Sequence, residues 1–165
     1  MNVKIKRNHK DAVIPKYAKP GDAGLDLTAI DRKLVREESG VEYIEYDTGL
    51  AIEIPDGHVG LIFPRSSLCS KDLILSNHVG VIDSGYRGSI KAKFKVDLPY
   101  DEITELLNRT FTYINNGELY DCQVYAVGER CMQLIILPYP QIEFIEVDEL
   151  SSTERGSGGY GSTNK

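Results

Sequence analysis

Over residues 88–98 the chain alternates without a break. Ile90, Ala92, Phe94, Val96 and Leu98 are apolar, while Ser89, Lys91, Lys93, Lys95 and Asp97 are polar. A period of two with lysines on the wet side predicts an antiparallel strand with one face buried. Leu50, Ile52 and Ile54 repeat the pattern in GLAIEIP, the turn residues PDGH follow, and then comes the apolar run VGLIF. MQLIILP and QIEFIEV predict two further strands, separated by Pro138 and Pro140, which cannot continue a hydrogen-bonded ladder. Short strands at turn-punctuated spacing, with little helical patterning and no internal repeat, predict an all-β protein of the β-barrel or jelly-roll kind.

Two segments depart from that plan. In residues 99–120, PYDEITELLNRTFTYINNGELY, Ile103, Leu106 and Leu107 have i, i+3, i+4 spacing, and Asp101 and Glu102 stand where a helix start favours acids. This predicts a small, mainly helical insert ending in a turn at Asn116-Gly117. The tail SSTERGSGGYGSTNK is glycine-rich and too polar to pack alone, so it should be mobile without a ligand. The expected organisation is one β-barrel domain over 1–152, with the insert at about 99–120, and a mobile C-terminal lid over 153–165.

Composition narrows the functional classes. A chain of 165 residues with 41% hydrophobic content can build one ordinary core. Its formal net charge of -6 argues against direct nucleic-acid binding, which needs an excess of Lys and Arg, but leaves room for a small anion in a locally basic pocket. Cys69, Cys122 and Cys131 are an odd set without a CxxC pair, which predicts reduced thiols in a cytoplasmic setting. The N-terminus lacks an apolar signal core, and no apolar run approaches the ~20 residues of a membrane helix, so no membrane association is expected. His9, His58 and His78 show no ligand spacing, which makes a zinc site improbable.

The tail segment GSGGYGST looks like a phosphate-binding P-loop, but that motif needs a Lys after its last Gly and a helix behind it. Here Ser162 follows Gly161 and the chain ends at Lys165. What remains is a flexible segment with Arg155, the aromatic Tyr160, the hydroxyls of Ser162 and Thr163, and bare amides such as that of Gly161. Such a segment suits clamping an aromatic, phosphorylated ligand. Taken alone, a disordered solubilising tail is the simpler reading.

Five segments occur in order: DAGLDL (22–27), PRSSLCSK (64–71), GVIDSGYRGSIKAK (80–93), GERCMQLIILP (128–138) and RGSGGYGST (155–163). Together they closely resemble the five ordered motifs of the trimeric dUTPase family. The resemblance implies a distorted jelly-roll β-barrel assembled as a homotrimer with sites between subunits. It also implies a Mg²⁺-dependent hydrolysis of dUTP to dUMP and pyrophosphate.

By that resemblance Asp83 is the general base for the water that attacks the α-phosphorus; an Asp of ordinary pKa ~3.9 is ionised at neutral pH. An exposed turn Asp would otherwise make a local backbone bond. Tyr86 matches the residue under the deoxyribose that excludes a 2′-hydroxyl. Asn77, with backbone groups of the same hairpin near Gly80, matches the uracil-reading positions. Arg65 and Ser66 match phosphate contacts, and a forked guanidinium suits phosphate oxygens. Ser67 stands where the family usually has Gly. Gln133 is either a core amide or, by resemblance, a phosphate and water contact. Asp26 matches an indirect metal ligand acting through Mg²⁺-bound water, whereas Asp22 reads as structural. Arg155 matches the γ-phosphate contact, and Tyr160, where Phe is usual, would stack on uracil.

A dCTP deaminase, which shares the fold, is the nearest alternative. A regulatory binding protein is the second. Staphylococcal phage dUTPases, which this chain resembles in carrying an insert, include members that relieve a repressor by direct contact. The insert therefore suggests a repressor partner in addition to the enzyme activity, inside a host cytoplasm if the chain is phage-encoded.

Overall fold

The alternation of the sequence becomes hydrogen-bonded strand in the computed structural model, which describes residues 1–38, 42–96, 103–104, 111–115 and 118–159. In chain order the first strands are β1 (Lys4–Arg7), β2 (Leu25–Thr28), β3 (Asp31–Arg36), β4 (Glu42–Asp47) and β5 (Leu50–Glu53). Then come β6 (His58–Pro64), a short 3-10 turn at Ser66–Ser70, β7 (Leu73–Leu75), β8 (Gly80–Ile82) and β9 (Lys91–Val96). The last are β10 (Ile103–Thr104), β11 (Phe111–Asn115), β12 (Glu118–Cys122) and β13 (Arg130–Pro138).

Two four-stranded antiparallel sheets, ordered β2-β13-β6-β8 and β3-β4-β9-β7, make the body; β1 pairs with β5 beside them. On β9 the predicted faces are observed: Ile90, just before the strand, with Ala92 and Phe94 are buried, while Lys91, Lys93 and Lys95 face water. Leu50, Ile52 and Ile54 are buried as their spacing predicts. These side chains join Leu27, Ile62, Met132 and Leu134 from the other sheet in one core. Tyr46, Phe94 and Tyr125 sit at its centre, edge to face, with ring centroids 5.6 to 6.1 Å apart. Each fully buried aliphatic or Phe side chain contributes roughly 1.5–3 kcal/mol from water exclusion.

Two expectations need correction. Ile103, taken as the start of a helix, lies in β10 and pairs with Tyr113, and β11 pairs with β12 as a hairpin. The described part of the insert is therefore a three-stranded antiparallel sheet; Leu106 and Leu107 lie outside the described residues. Three apolar residues at helical spacing are too few to fix a period, and the aromatic and β-branched run FTYI favours strand. Pairing of Asn115 with Glu118 flanks the Asn116-Gly117 dipeptide, as a hairpin requires. Second, QIEFIEV is not in a strand. It runs alongside no ladder in this single chain, and Phe144 is 91% exposed.

The turn from β4 to β5 rests on Asp47. Its carboxylate accepts from Ser89 Oγ at 2.6 Å and Gly49 N–H at 2.7 Å, and lies 3.3 Å from Lys91 Nζ. Gly49 takes φ +63°, open to glycine at little cost. Burial pushes the Asp47 carboxyl up, but the Ser89, Gly49 and Lys91 contacts outweigh it and hold the group below the usual carboxylate range. A folded-state pKa depressed in this way gives stability that is present above the unfolded value, ~4, and is lost as pH falls through the folded one. Asp47→Asn should lower the melting temperature at neutral pH, by about 2–4 °C per kcal/mol lost. It should also flatten the acid limb of melting temperature against pH, which calorimetry across that range checks.

Candidate active site

Gln133 sits midway along β13, opposite Asp26 on β2 and opposite Phe63 on β6. Its side chain is half-buried, and Nε2 donates to the Pro64 carbonyl at 2.9 Å. A Cβ at Gly24 would overlap Gln133 Oε1, so the glycine of DAGLDL makes room for this amide. Beside it, Asp26 lies between two guanidiniums. Arg65 Nε donates to Oδ1 at 2.7 Å and Arg65 Nη2 to Oδ2 at 3.4 Å, while Arg130 Nη1 donates to Oδ2 at 2.8 Å. Arg65 Nη1 also reaches the Arg130 carbonyl at 3.2 Å. Ser66 is exposed at the start of the 3-10 turn, and Ser67 Oγ accepts from Arg65 Nη1 at 3.3 Å. A cavity of about 350 Å³ opens here, lined by Arg65, Ser67, Lys71, Tyr125, Glu129 and Arg130 among others. Three cations stand against two carboxylates, Asp26 between the arginines and Glu129 3.9 Å from Lys71, a positive balance that suits an anion.

The other expected residues gather elsewhere. A cavity of about 450 Å³ is lined by Asn77, Gly80 and Tyr86, with Ile62, Leu75 and Lys93 among the remaining walls. Between β7 and β8, Val79 N–H donates to the Asn77 carbonyl at 2.5 Å around His78, whose φ is +59°. So tight a turn is strained for a non-glycine residue and aims backbone groups in a fixed direction. Gly80 allows β8 to approach β6, since a Cβ there would stand 3.1 Å from Ile62 Cβ. Tyr86 donates from its hydroxyl to the Ser89 carbonyl at 3.1 Å, and its ring fills the space that a Cβ at Gly88 would need. Arg87 Nη1 donates to the carbonyls of Ser84, at 2.6 Å, and Tyr86, at 2.9 Å. That clamps the turn whose first residue is Asp83, with its side chain exposed.

Register separates the two groups. Ile82, next to Asp83, pairs with Gly60 at one end of β6, and Arg65 follows the other end. Five residues of extended chain span roughly 17 Å, more than the side chains can bridge. Asp83 and Arg65 thus lie toward different ends of one strand, with Gly80, opposite Ile62, between them. Arg155 belongs to neither; its Nε donates to the Gly158 carbonyl at 3.1 Å, within the tail's own turn. Tyr160, Gly161, Ser162 and Thr163 lie outside the described residues. Arg130, Lys71 and Arg87 went unremarked in the sequence. Each stands inside one of the five motifs; Arg130 meets Asp26 only once β2 and β13 are paired, whereas Arg87 bonds carbonyls of its own turn.

The dUTPase family model matches residues 10–97. The chain belongs to the dUTPase family. The deoxyuridine 5'-triphosphate nucleotidohydrolase of Thermobifida fusca is 39% identical over 99% of this chain and 79% of its own length. That of Escherichia phage T5 is 37% identical over 98% of this chain and 97% of its own. Among solved structures, a Staphylococcus bacteriophage 80alpha dUTPase mutant with dUpNHpp matches with a TM-score of 0.75 at 30% identity, covering 98% of each chain. The protein is accordingly a dUTP diphosphatase, and the all-β jelly-roll class expected of the family is the one observed. Among the described residues no helix is long and apolar enough to cross a membrane.

In this dUTPase Gly24→Ala must displace the Gln133 amide. The atoms displaced are the end of a flexible side chain, so the main cost is the amide's bond to the Pro64 carbonyl, about 0.5–1.5 kcal/mol. The variant should melt earlier than the parent and turn over dUTP more slowly, read by calorimetry and a pyrophosphate-release assay.

Proposed function

We propose that dUTP is hydrolysed in a homotrimer, at sites where the hairpin half-site of one subunit faces the arginine half-site of another. The observation that carries this reading is the roughly 17 Å that β6 places between Asp83 and Arg65 within one chain. The apolar arm beyond β13, with Ile142, Phe144, Ile145 and Leu150 exposed, supports it, because such surface ordinarily covers a neighbour.

In this arrangement Tyr86 lies under the deoxyribose, and Asn77 with the strained turn at His78 reads the uracil edge. Asp83 takes the proton of a water placed in line with the α-phosphorus, and pyrophosphate leaves. Arg65 and Arg130 turn part of their hydrogen-bonding from Asp26 to phosphate oxygens, Ser66 and the Ser67 backbone border the phosphates, and Gln133 helps orient the water. Positioning and fixed charge supply most of the acceleration. Residues 153–165 close as a lid over the barrel domain 1–152. Arg155 meets the γ-phosphate, Tyr160 stacks on uracil, and Gly161, Ser162 and Thr163 bond the phosphates.

Mg²⁺ fits as a passenger of the triphosphate. Among the described residues no cluster of three or more His, Cys, Asp or Glu is arranged to hold a metal. The single Asp26 carboxylate, 19% exposed beside the arginines, suits bonding to a water of a hydrated ion. When bound, Mg²⁺ offsets phosphate charge and polarises the phosphoryl oxygens.

The insert supports a second role. The phage 80alpha dUTPase is described as controlling transfer of virulence genes by a G protein-like mechanism. By analogy, the insert here would meet a regulatory protein such as a repressor. It is separable from the barrel: Val96 before it pairs with Leu73, while after it the Gln123 carbonyl accepts from Asp72 N–H and Gln123 N–H donates to the Asp72 carboxylate. Its two ends therefore meet at neighbouring residues, and each doubling of such a loop costs only ~0.6 kcal/mol.

Asp83→Asn should reduce turnover by roughly 10²–10⁴-fold while a non-hydrolysable dUTP analogue still binds; near-parental turnover refutes the base assignment. Ending the chain after Ser152 should leave the assembly folded and activity collapsed, and a full rate would remove the lid. Replacing residues 99–120 with a short turn should preserve dUTP hydrolysis and abolish capture of a regulatory partner. Loss of hydrolysis would instead make the insert part of the enzyme fold. An assay with dCTP separates hydrolysis from the deaminase alternative.

A further inference from the structure

The Ser67 hydroxyl joins two groups. It accepts from Arg65 Nη1 at 3.3 Å and shares a hydrogen bond with the Tyr125 hydroxyl at 3.1 Å. Tyr125 is a firm anchor. It is 2% exposed, its ring is fixed edge to face by Tyr46 and Phe94, and its carbonyl accepts from Tyr46 Oη and Arg32 Nη1, both at 3.0 Å. The face of its ring also lies 5.3 Å from Lys71 Nζ, a second cation of the same cavity. Burial pushes the phenol's pKa up, so the hydroxyl keeps its proton through the neutral range.

We infer that Tyr125 is a positioning residue of the phosphate half-site, fixing Arg65 through the Ser67 hydroxyl and seating Lys71 against its ring. The inference rests on the assignment of this half-site to the triphosphate. Asp26 holds the guanidinium through Nε and Nη2, and Nη1 is shared by the Arg130 carbonyl and the Ser67 hydroxyl; of these contacts, the one through Ser67 ties the fork to the Tyr125 anchor. Pre-ordering a long side chain reduces the entropy lost when it meets an anion. The hydroxyl pair therefore matters for phosphate binding and leaves the nucleoside cavity untouched, since neither Ser67 nor Tyr125 lines it.

The test uses the full-length chain and two probes, a non-hydrolysable dUTP analogue and deoxyuridine. Tyr125→Phe keeps the ring, its packing and the Lys71 contact but removes the hydroxyl, and Ser67→Gly removes the other half of the bridge. Each should weaken analogue binding by about twofold to tenfold, the net size of one ordinary hydrogen bond. The double variant should be no weaker than the more impaired single one, because the two groups act as a unit. Deoxyuridine affinity should stay at the parental value. Arg65→Ala should lose more analogue affinity than either variant. If Arg65→Ala binds the analogue normally, the phosphate assignment and the brace fall together. If Arg65→Ala is impaired while Tyr125→Phe and Ser67→Gly bind normally, the brace alone is wrong. Additive losses, or deoxyuridine affinity falling in parallel, also overturn it. Should Tyr125→Phe fail to fold, Ser67→Gly carries the same comparison.

Discussion

Strand β13 is hydrogen-bonded along both edges, to β2 from Arg130 to Leu134 and to β6 from Met132 to Pro138. Met132, Gln133 and Leu134 are held from both sides, so the register there is fixed, and a slip of one residue would turn Gln133 into the core. That double pairing sets Asp26 and Gln133 directly opposite each other and brings the end of β6, with Arg65, alongside. Three segments far apart in sequence become one polar cluster. Its apolar neighbours Met132 and Leu134 point the other way and are buried. The strand that fills the core is thus the strand that assembles the proposed phosphate half-site.

Within that cluster the charges are arranged for exchange. Asp26 holds two guanidiniums at 2.7 and 2.8 Å. Removing the acid would leave two like charges facing each other, whereas a polyanion can replace it as their partner without any backbone motion. In the proposed site a triphosphate would compete with Asp26 for both arginines. The Ser67 and Tyr125 hydroxyls tie one of them to the aromatic centre of the core. Lys71, held over the same ring, adds charge without depending on Asp26.

The sequence made the sheets legible where one face alone is wet, as on β9, whose lysines alternate with Ala92 and Phe94. It misled in the insert, where Ile103, Leu106 and Leu107 satisfied a helical spacing over one turn only, while the longer aromatic run beyond them paired as a hairpin. QIEFIEV reads as strand but has no ladder in one chain; its pattern fits a partner supplied by assembly. The motif residues were legible as a set through family resemblance. Their partners were not. Nothing in spacing shows that Gly24 clears space for Gln133, that Arg130 shares Asp26 with Arg65, or that Ser67 meets Tyr125. Those relations arise from strand order, which joins β2, β13 and β6 across more than a hundred residues.

The same order separates Asp83 from Arg65, and on this the account stands. A site built from one chain would have to span β6 lengthwise, whereas a site between subunits needs only that one hairpin face the next subunit's arginines. Subunit mixing tests this directly. Asp83→Asn and Arg65→Ala proteins, each inactive alone, are dissociated together and allowed to reassemble. If the half-sites belong to different subunits, random trimers contain about a quarter of their sites with both groups intact, and dUTP hydrolysis returns to that level. Activity that stays at the level of the separate variants after confirmed exchange would place Asp83 and Arg65 in the same chain's site and contradict the account.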